Sequence, residues 1–183
     1  MAASLDVSDT FKRVTIRGKQ LCFLLILFYI PNNGVEGMGS SLSSQGASLV
    51  EWKRSFPDPP PELDSWSLSN LGSICNWSGV TCGFKGTMIS ELDLTFTVLG
   101  GTLAEFNFSA FPDLISFTVF RTGLGGTIPA AIGNLTKLES LDLRDNRFDG
   151  EIPLAIWNLT DLRELHASSN NLTGSISFGH QQP

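Results

Sequence analysis

Residues 135–158 read LTKLESLDLRDNRFDGEIPLAIWN, and residues 159–183 read LTDLRELHASSNNLTGSISFGHQQP. Laid over each other at a shift of 24, they match Leu135 with Leu159, Leu138 with Leu162, Leu141 with Leu165, Asn146 with Asn170, Gly150 with Gly174 and Ile152 with Ile176. A further step back of 24 gives FPDLISFTVFRTGLGGTIPAAIGN, with Phe117, Val119, Leu124, Gly126, Ile128 and Pro129 in register. One step earlier, at a shift of 25, Leu92, Leu94, Leu99, Gly101 and Leu103 fall into place. Four repeats result, at 86–110, 111–134, 135–158 and 159–178. A fixed period of about 20–50 residues is the signature of a solenoid, whose turns bury their apolar faces only by stacking on one another.

The residue types within a turn follow from geometry. Side chains alternate across a strand, so the Leu-x-Leu core sends two apolar groups inward and the residue between them outward. Asn146 and Asn170 come next, where a carboxamide can bond turn backbone groups and form a structural ladder between turns. Thr97 and Thr122 take that place in the first two repeats. Glycine then permits a tight bend, and Ile-Pro fixes the exit because proline locks φ and lacks an N–H. The expected fold is an α/β solenoid.

A solenoid needs a polar-faced lid on its first turn. Residues 46–56, GASLVEWKRSF, set Leu49, Trp52 and Phe56 on one helical face with Val50 beside them, and Pro57 stops the helix. A proline-rich link, then LDSW and CNWSGVTC, completes a cap over 38–85. Ahead of it lies an address. Lys12, Arg13, Arg17 and Lys19 precede the apolar run Leu21–Ile30, and small and polar residues follow. This is the pattern of a secretory signal peptide, at 1–37, with a long basic region and Val35 and Gly37 as one choice of cleavage residues. Ten apolar residues make a helix of about 15 Å, roughly half a bilayer core, so a membrane anchor is not expected there. Cys22 is removed with that run, leaving Cys75 and Cys82. In an exported chain an even pair reads as a disulfide, whereas in the cytosol two free thiols would be the default.

The Cys75–Cys82 stretch CNWSGVTC follows a helix containing LVEWKRSF and precedes LxxLxLxxNxLxGxIP repeats. Together they resemble the N-terminal part of a plant leucine-rich-repeat receptor-like kinase ectodomain, over roughly residues 45–178. The resemblance implies a disulfide between Cys75 and Cys82, a second strand near each Gly-x-Ile-Pro segment, and a right-handed superhelix with a helical N-terminal cap. Closing this eight-residue loop is worth about 2.5 kcal/mol on the chain-entropy model. The last repeat departs from the pattern, with Ile176–Ser177 in place of Ile-Pro, and residues 179–183 form a tail. No C-terminal cap, membrane span or kinase motif appears, so the chain reads as truncated, with membrane association only through a missing C-terminal part.

Five Asn-x-Ser/Thr acceptors, Asn76, Asn107, Asn134, Asn158 and Asn171, make N-glycosylation the expectation in an exported chain. Asn134 and Asn158 are one repeat apart, so glycans are expected along one flank with the strand face left bare. On that face the outward positions are Glu91, Asp93 and Thr95, then Ser116, Thr118 and Phe120, then Ser140, Asp142 and Arg144, then Glu164, His166 and Ser168. Arg121 and Asp145 lie at the strand ends. Such a face has the pattern of ordinary solvated positions as well as of a ligand surface. Phe120 beside Arg144 is its most promising pair, because aromatic and arginine residues dominate binding hot spots.

Catalysis has no foothold. Asp142 and Asp145 are the sort of carboxylate pair that repeats generate freely. His166 and His180 form no metal-ligand cluster, and no Walker loop, nucleophile elbow or kinase signature occurs. Neither a metal nor a cofactor is expected. A net charge of −6 argues against nucleic acid and against an anionic membrane surface. The leading reading is a cell-surface perception module for a peptide, glycan or protein ligand, with a co-receptor ectodomain as a further partner. The alternatives are a free secreted binder, such as an inhibitor of cell-wall-degrading enzymes, and a truncated product without function of its own.

Overall fold

The computed structural model describes residues 41–174 together with the strand Val14–Thr15. The rest of the signal-peptide segment, the end of the fourth repeat and the tail lie outside the described residues. One α-helix, α1 (Leu42–Arg54), precedes the repeats. The strands are β1 (Val14–Thr15), β2 (Val80–Cys82), β3 (Ile89–Asp93), β4 (Ser116–Thr118), β5 (Gly125–Thr127), β6 (Ser140–Asp142), β7 (Arg147–Glu151), β8 (Glu164–His166) and β9 (Asn171–Thr173).

The apolar repeat places one strand per turn in a large sheet ordered β1-β8-β6-β4-β3-β2. Its four repeat strands are parallel and in register: Leu92 pairs with Phe117, Phe117 with Leu141, and Leu141 with Leu165. These inward residues are buried. A second parallel sheet, β5-β7-β9, runs just ahead of Ile128-Pro129 and Ile152-Pro153, and an isolated bridge from Thr102 to Gly125 extends it toward the first repeat. Proline then opens the short 3-10 helices Ala130–Asn134 and Leu154–Asn158, which stack on each other along another flank. The chain is thus a leucine-rich-repeat solenoid with a helical N-terminal cap.

The ladder joins the last three turns. The Asn146 carboxamide accepts from the N–H groups of Thr122 and Leu124 and from the Thr122 hydroxyl, and donates to carbonyls of Val119, Leu143 and Arg144. Asn170 repeats the pattern one turn on, accepting from Phe148 N–H and donating to Leu143, Ala167 and Ser168 carbonyls. Thr122 is fully buried and bonds both Val119 O and Asn146 Oδ1, so a hydroxyl does in part what the amide does elsewhere.

The cap differs from the sequence reading in three respects, one being that α1 ends at Arg54, so the buried Phe56 lies beyond the helix. The helix begins at Leu42, not near Gly46, because the Ser41 hydroxyl accepts from Ser44 N–H and caps it. The cysteine segment is more than a loop, since Val80–Cys82 joins the large sheet antiparallel to β3. Aromatic packing then seals the first turn. Trp52 lies edge-on to Phe56 and Phe106, and Phe106 stacks on Phe111 and Phe117. The Trp52, Trp66 and Trp77 N–H groups donate to the carbonyls of Thr102, Ser78 and Asn70, which leaves these buried indoles satisfied.

β1 lies antiparallel to β8, pairing Val14 with Leu165 and Thr15 with Glu164. It occupies a sheet edge whose N–H and C=O groups would otherwise stay unpaired.

Candidate functional site

Because the repeat strands share one register, their outward residues form rows across the large sheet. The first row is Glu91, Ser116, Ser140 and Glu164, and the second Asp93, Thr118, Asp142 and His166. Continuing each strand gives a third row, Thr95, Phe120, Arg144 and Ser168, and a fourth, Phe96, Arg121, Asp145 and Ser169. The fourth row is conformationally unusual. All four residues are left-handed, with φ of 61°, 55°, 53° and 58°, a region that non-glycine residues seldom occupy. Backbone bonds from turn to turn hold three of them there: Phe96 N–H to Phe120 O, Arg121 N–H to Arg144 O and Asp145 N–H to Ser168 O.

At this exit edge the side chains meet in a ledge. The rings of Phe96 and Phe120 pack edge to face at 5.2 Å. The Arg121 guanidinium sits 6.0 Å from the Phe96 ring and 5.9 Å from that of Phe120, and Arg144 lies 5.1 Å from Phe120. Both cations are paired. Arg121 Nε is 3.1 Å from Asp145 Oδ2. Arg144 clasps Asp142 through Nε at 2.9 Å and Nη2 at 2.5 Å, and its backbone N–H donates to the same carboxylate at 3.0 Å. Hydrogen bonding to Asp142 raises the Arg144 pKa above its ordinary value. The guanidinium plane is therefore fixed.

The pair Phe120 and Arg144 is in contact, with Arg121, Asp142 and Asp145 gathered around it. Asp142, read as an outward position of that face, is only 7% exposed, with its carboxylate turned to Arg144. Glu91, Thr118 and Glu164 lie apart on the first two rows, and His166 Nε2 is 3.7 Å from Glu164 Oε2. Glu91 and Asp93 are exposed, and Asp93 Oδ1 accepts from the N–H and hydroxyl of Thr95. Sequence reading missed Phe96, which is 62% exposed. A signal was present, since Phe96, Arg121 and Asp145 occupy one repeat position, but strict strand alternation stops at Thr95.

Cys75 and Cys82 are joined, with Cα atoms 5.4 Å apart. Between them Trp77 is buried against Trp66, and Gly79 has φ +73°; a Cβ there would meet Asp93 O at 2.4 Å. All five sequon asparagines are exposed. Asn134 and Asn158 end the 3-10 helices of their turns, away from the ledge, while Asn171 opens β9. A shallow cleft on the cap, lined by Val50, Lys53, Arg54, Pro59, Trp66, Ser67 and Leu68, has its central ammonium engaged, since Lys53 donates to Leu63 O and Trp66 O. Among the described residues no His, Cys, Asp or Glu cluster could hold a metal ion, and no helix is long and apolar enough to cross a membrane.

Residues 42–83 match the leucine rich repeat N-terminal domain, and residues 137–159 match the Leucine Rich Repeat family. The chain is 33% identical over 130 residues to the leucine-rich repeat receptor-like serine/threonine-protein kinase RGI4 of Arabidopsis thaliana. That alignment covers 71% of this chain and 12% of the kinase, so the chain spans far less than the length of such relatives. Among solved structures, the Arabidopsis receptor kinase HAESA with the peptide hormone IDA and the co-receptor SERK1 superimposes with a TM-score of 0.62. It shares 30% identity, over 70% of this chain and 22% of that one. A chain of the Arabidopsis BIR3–SERK2 complex matches with a TM-score of 0.53 and 30% identity, over 69% of this chain and 82% of that chain.

Proposed function

The chain belongs to the leucine-rich-repeat family of plant receptor-like kinase ectodomains, and from that premise we propose that it is a cell-surface perception module binding a peptide on its large sheet. The observation that carries this is the ledge of Phe96, Phe120, Arg121 and Arg144. Two aromatic rings, one of them 62% exposed, stand beside arginines held in place by carboxylates. Exposed aromatic groups cost solubility and are the usual anchors of a binding surface, and pre-ordered neighbours lower the entropy lost on binding. The similar HAESA structure holds a peptide hormone and a co-receptor, which supports a ligand and partner of those kinds here. The wider face, with Glu91, Asp93, Thr118, Asp142, Asp145, Glu164 and His166, belongs to the same proposal.

Export completes the reading. The signal peptide at 1–37, the Cys75–Cys82 disulfide and glycans on Asn76, Asn107, Asn134, Asn158 and Asn171 all suit the secretory pathway. The test uses the secreted chain panned against a displayed random-peptide library. Phe96→Ala and Phe120→Ala should each weaken the enriched peptides about 30-fold, the scale of a hot spot, with the melting temperature of Phe96→Ala unchanged. Enriched peptides indifferent to both substitutions, or no enrichment, would overturn the proposal.

A further inference from the structure

Charge on the sheet says which peptides the ledge selects. Across the four rows stand the carboxylates Glu91, Asp93, Asp142, Asp145 and Glu164 against the guanidiniums Arg121 and Arg144. Asp142 is spent on Arg144 and Asp145 on Arg121, so neither arginine stands ready as a clamp for a ligand anion. The remaining negative charge concentrates on β3. Glu91 and Asp93 are both exposed on one face of that strand, about 7 Å apart and within one screening length of each other. Asp93 is held in place by the Thr95 N–H and hydroxyl. The same strand runs directly into Phe96 and the ledge, with Asp93 three residues before Phe96.

We propose that the ligand is a cationic peptide, with a Lys or Arg side chain on Glu91 and Asp93 and an aliphatic or aromatic residue on the Phe96–Phe120 ledge. This rests on the peptide-binding reading above and adds its chemistry. The chain turns at Thr95 and Phe96, so an extended ligand covers the step from Asp93 to the ledge in about two residues. The cation and the apolar anchor are therefore two positions apart, on the same side of an extended ligand. An anionic peptide meets carboxylates on β3 and, at the ledge, arginines whose partners it would have to displace. The chain's net charge of −6 works in the same direction, drawing cations toward the face during encounter.

The experiment takes the secreted full chain and the same displayed random-peptide library. Enriched peptides should carry Lys or Arg two positions from an apolar residue. Raising NaCl from about 0.05 M to about 0.5 M should weaken them about tenfold. The double variant Glu91→Gln, Asp93→Asn keeps the Asp93 acceptor for Thr95; it should lose about tenfold in affinity and most of the salt dependence. Phe96→Ala should lose affinity while keeping that salt dependence. Peptides that need Phe96 but are neutral or acidic, or that ignore the double variant, would overturn this inference and leave the peptide-binding reading standing. A library that yields no binder at all would overturn both.

Discussion

Asn146 stands at the junction of two turns and engages six polar groups, on its own turn and the preceding one. Its replacement by alanine strips partners from the buried N–H groups of Thr122 and Leu124, and an unpaired buried donor costs about 1–3 kcal/mol. Asn146→Ala should thus lose about 3 kcal/mol in urea denaturation, and a loss below about 1 kcal/mol would contradict the ladder's role. This residue was legible in the sequence because asparagine recurs at a fixed offset from Leu-x-Leu. Phe96 was not, although it recurs in register with Arg121 and Asp145. Its importance depends on a left-handed backbone that brings the fourth row alongside the third, and period-2 reasoning has no place for that turn. Gln45 was illegible for another reason. Its side chain donates to Ala110 O and accepts from Ile89 N–H, tying the cap to the first repeat through partners 65 and 44 residues away.

At the scale of elements, α1 shows how a local signal misleads. Glycine lowers helix stability by about 1 kcal/mol relative to alanine, so Gly46 reads as a boundary. The helix passes straight through it because packing demands the missing side chain: a Cβ there would lie 2.5 Å from Ile74 Cδ1 and 2.9 Å from Leu71 Cδ2. The clash falls on the ends of two flexible side chains, so part of it relaxes. Overpacking of this kind costs about 1–3 kcal/mol, against which the gain in helix propensity is about 1 kcal/mol. Gly46→Ala should therefore destabilise the cap by about 1 kcal/mol on thermal denaturation; a rise in melting temperature would show that α1 and the Leu68–Asn76 segment are less tightly packed than described. The strand β2 escaped sequence reading likewise, since three residues between a disulfide and a turn carry too little periodicity to be recognised. The repeat strands, each as short, were recognisable because four copies speak together.

For the whole molecule, the solenoid was legible from spacing alone, as was the pairing of Phe120 with Arg144, whereas Phe96 joins the ledge only when the turns are stacked in register. Export makes a sharp prediction. The secreted chain should begin near Met38 on N-terminal sequencing and lose mass on glycosidase treatment; a secreted chain that keeps residues 1–37 and carries no glycan would contradict the secretory reading. Cleavage there would also remove the β1 pairing with β8, so the same sequencing decides whether that strand belongs to the mature protein. The central claim is that the exit edge of the large sheet is where this protein meets its ligand. Hydrogen exchange of the secreted chain, with and without a saturating library-derived peptide, tests it most directly. Exchange should slow at 93–97, 118–122 and 142–146, with the 3-10 helices at 130–134 and 154–158 unchanged. Protection confined to those helices or to the cap, with the exit edge unaffected, would contradict it.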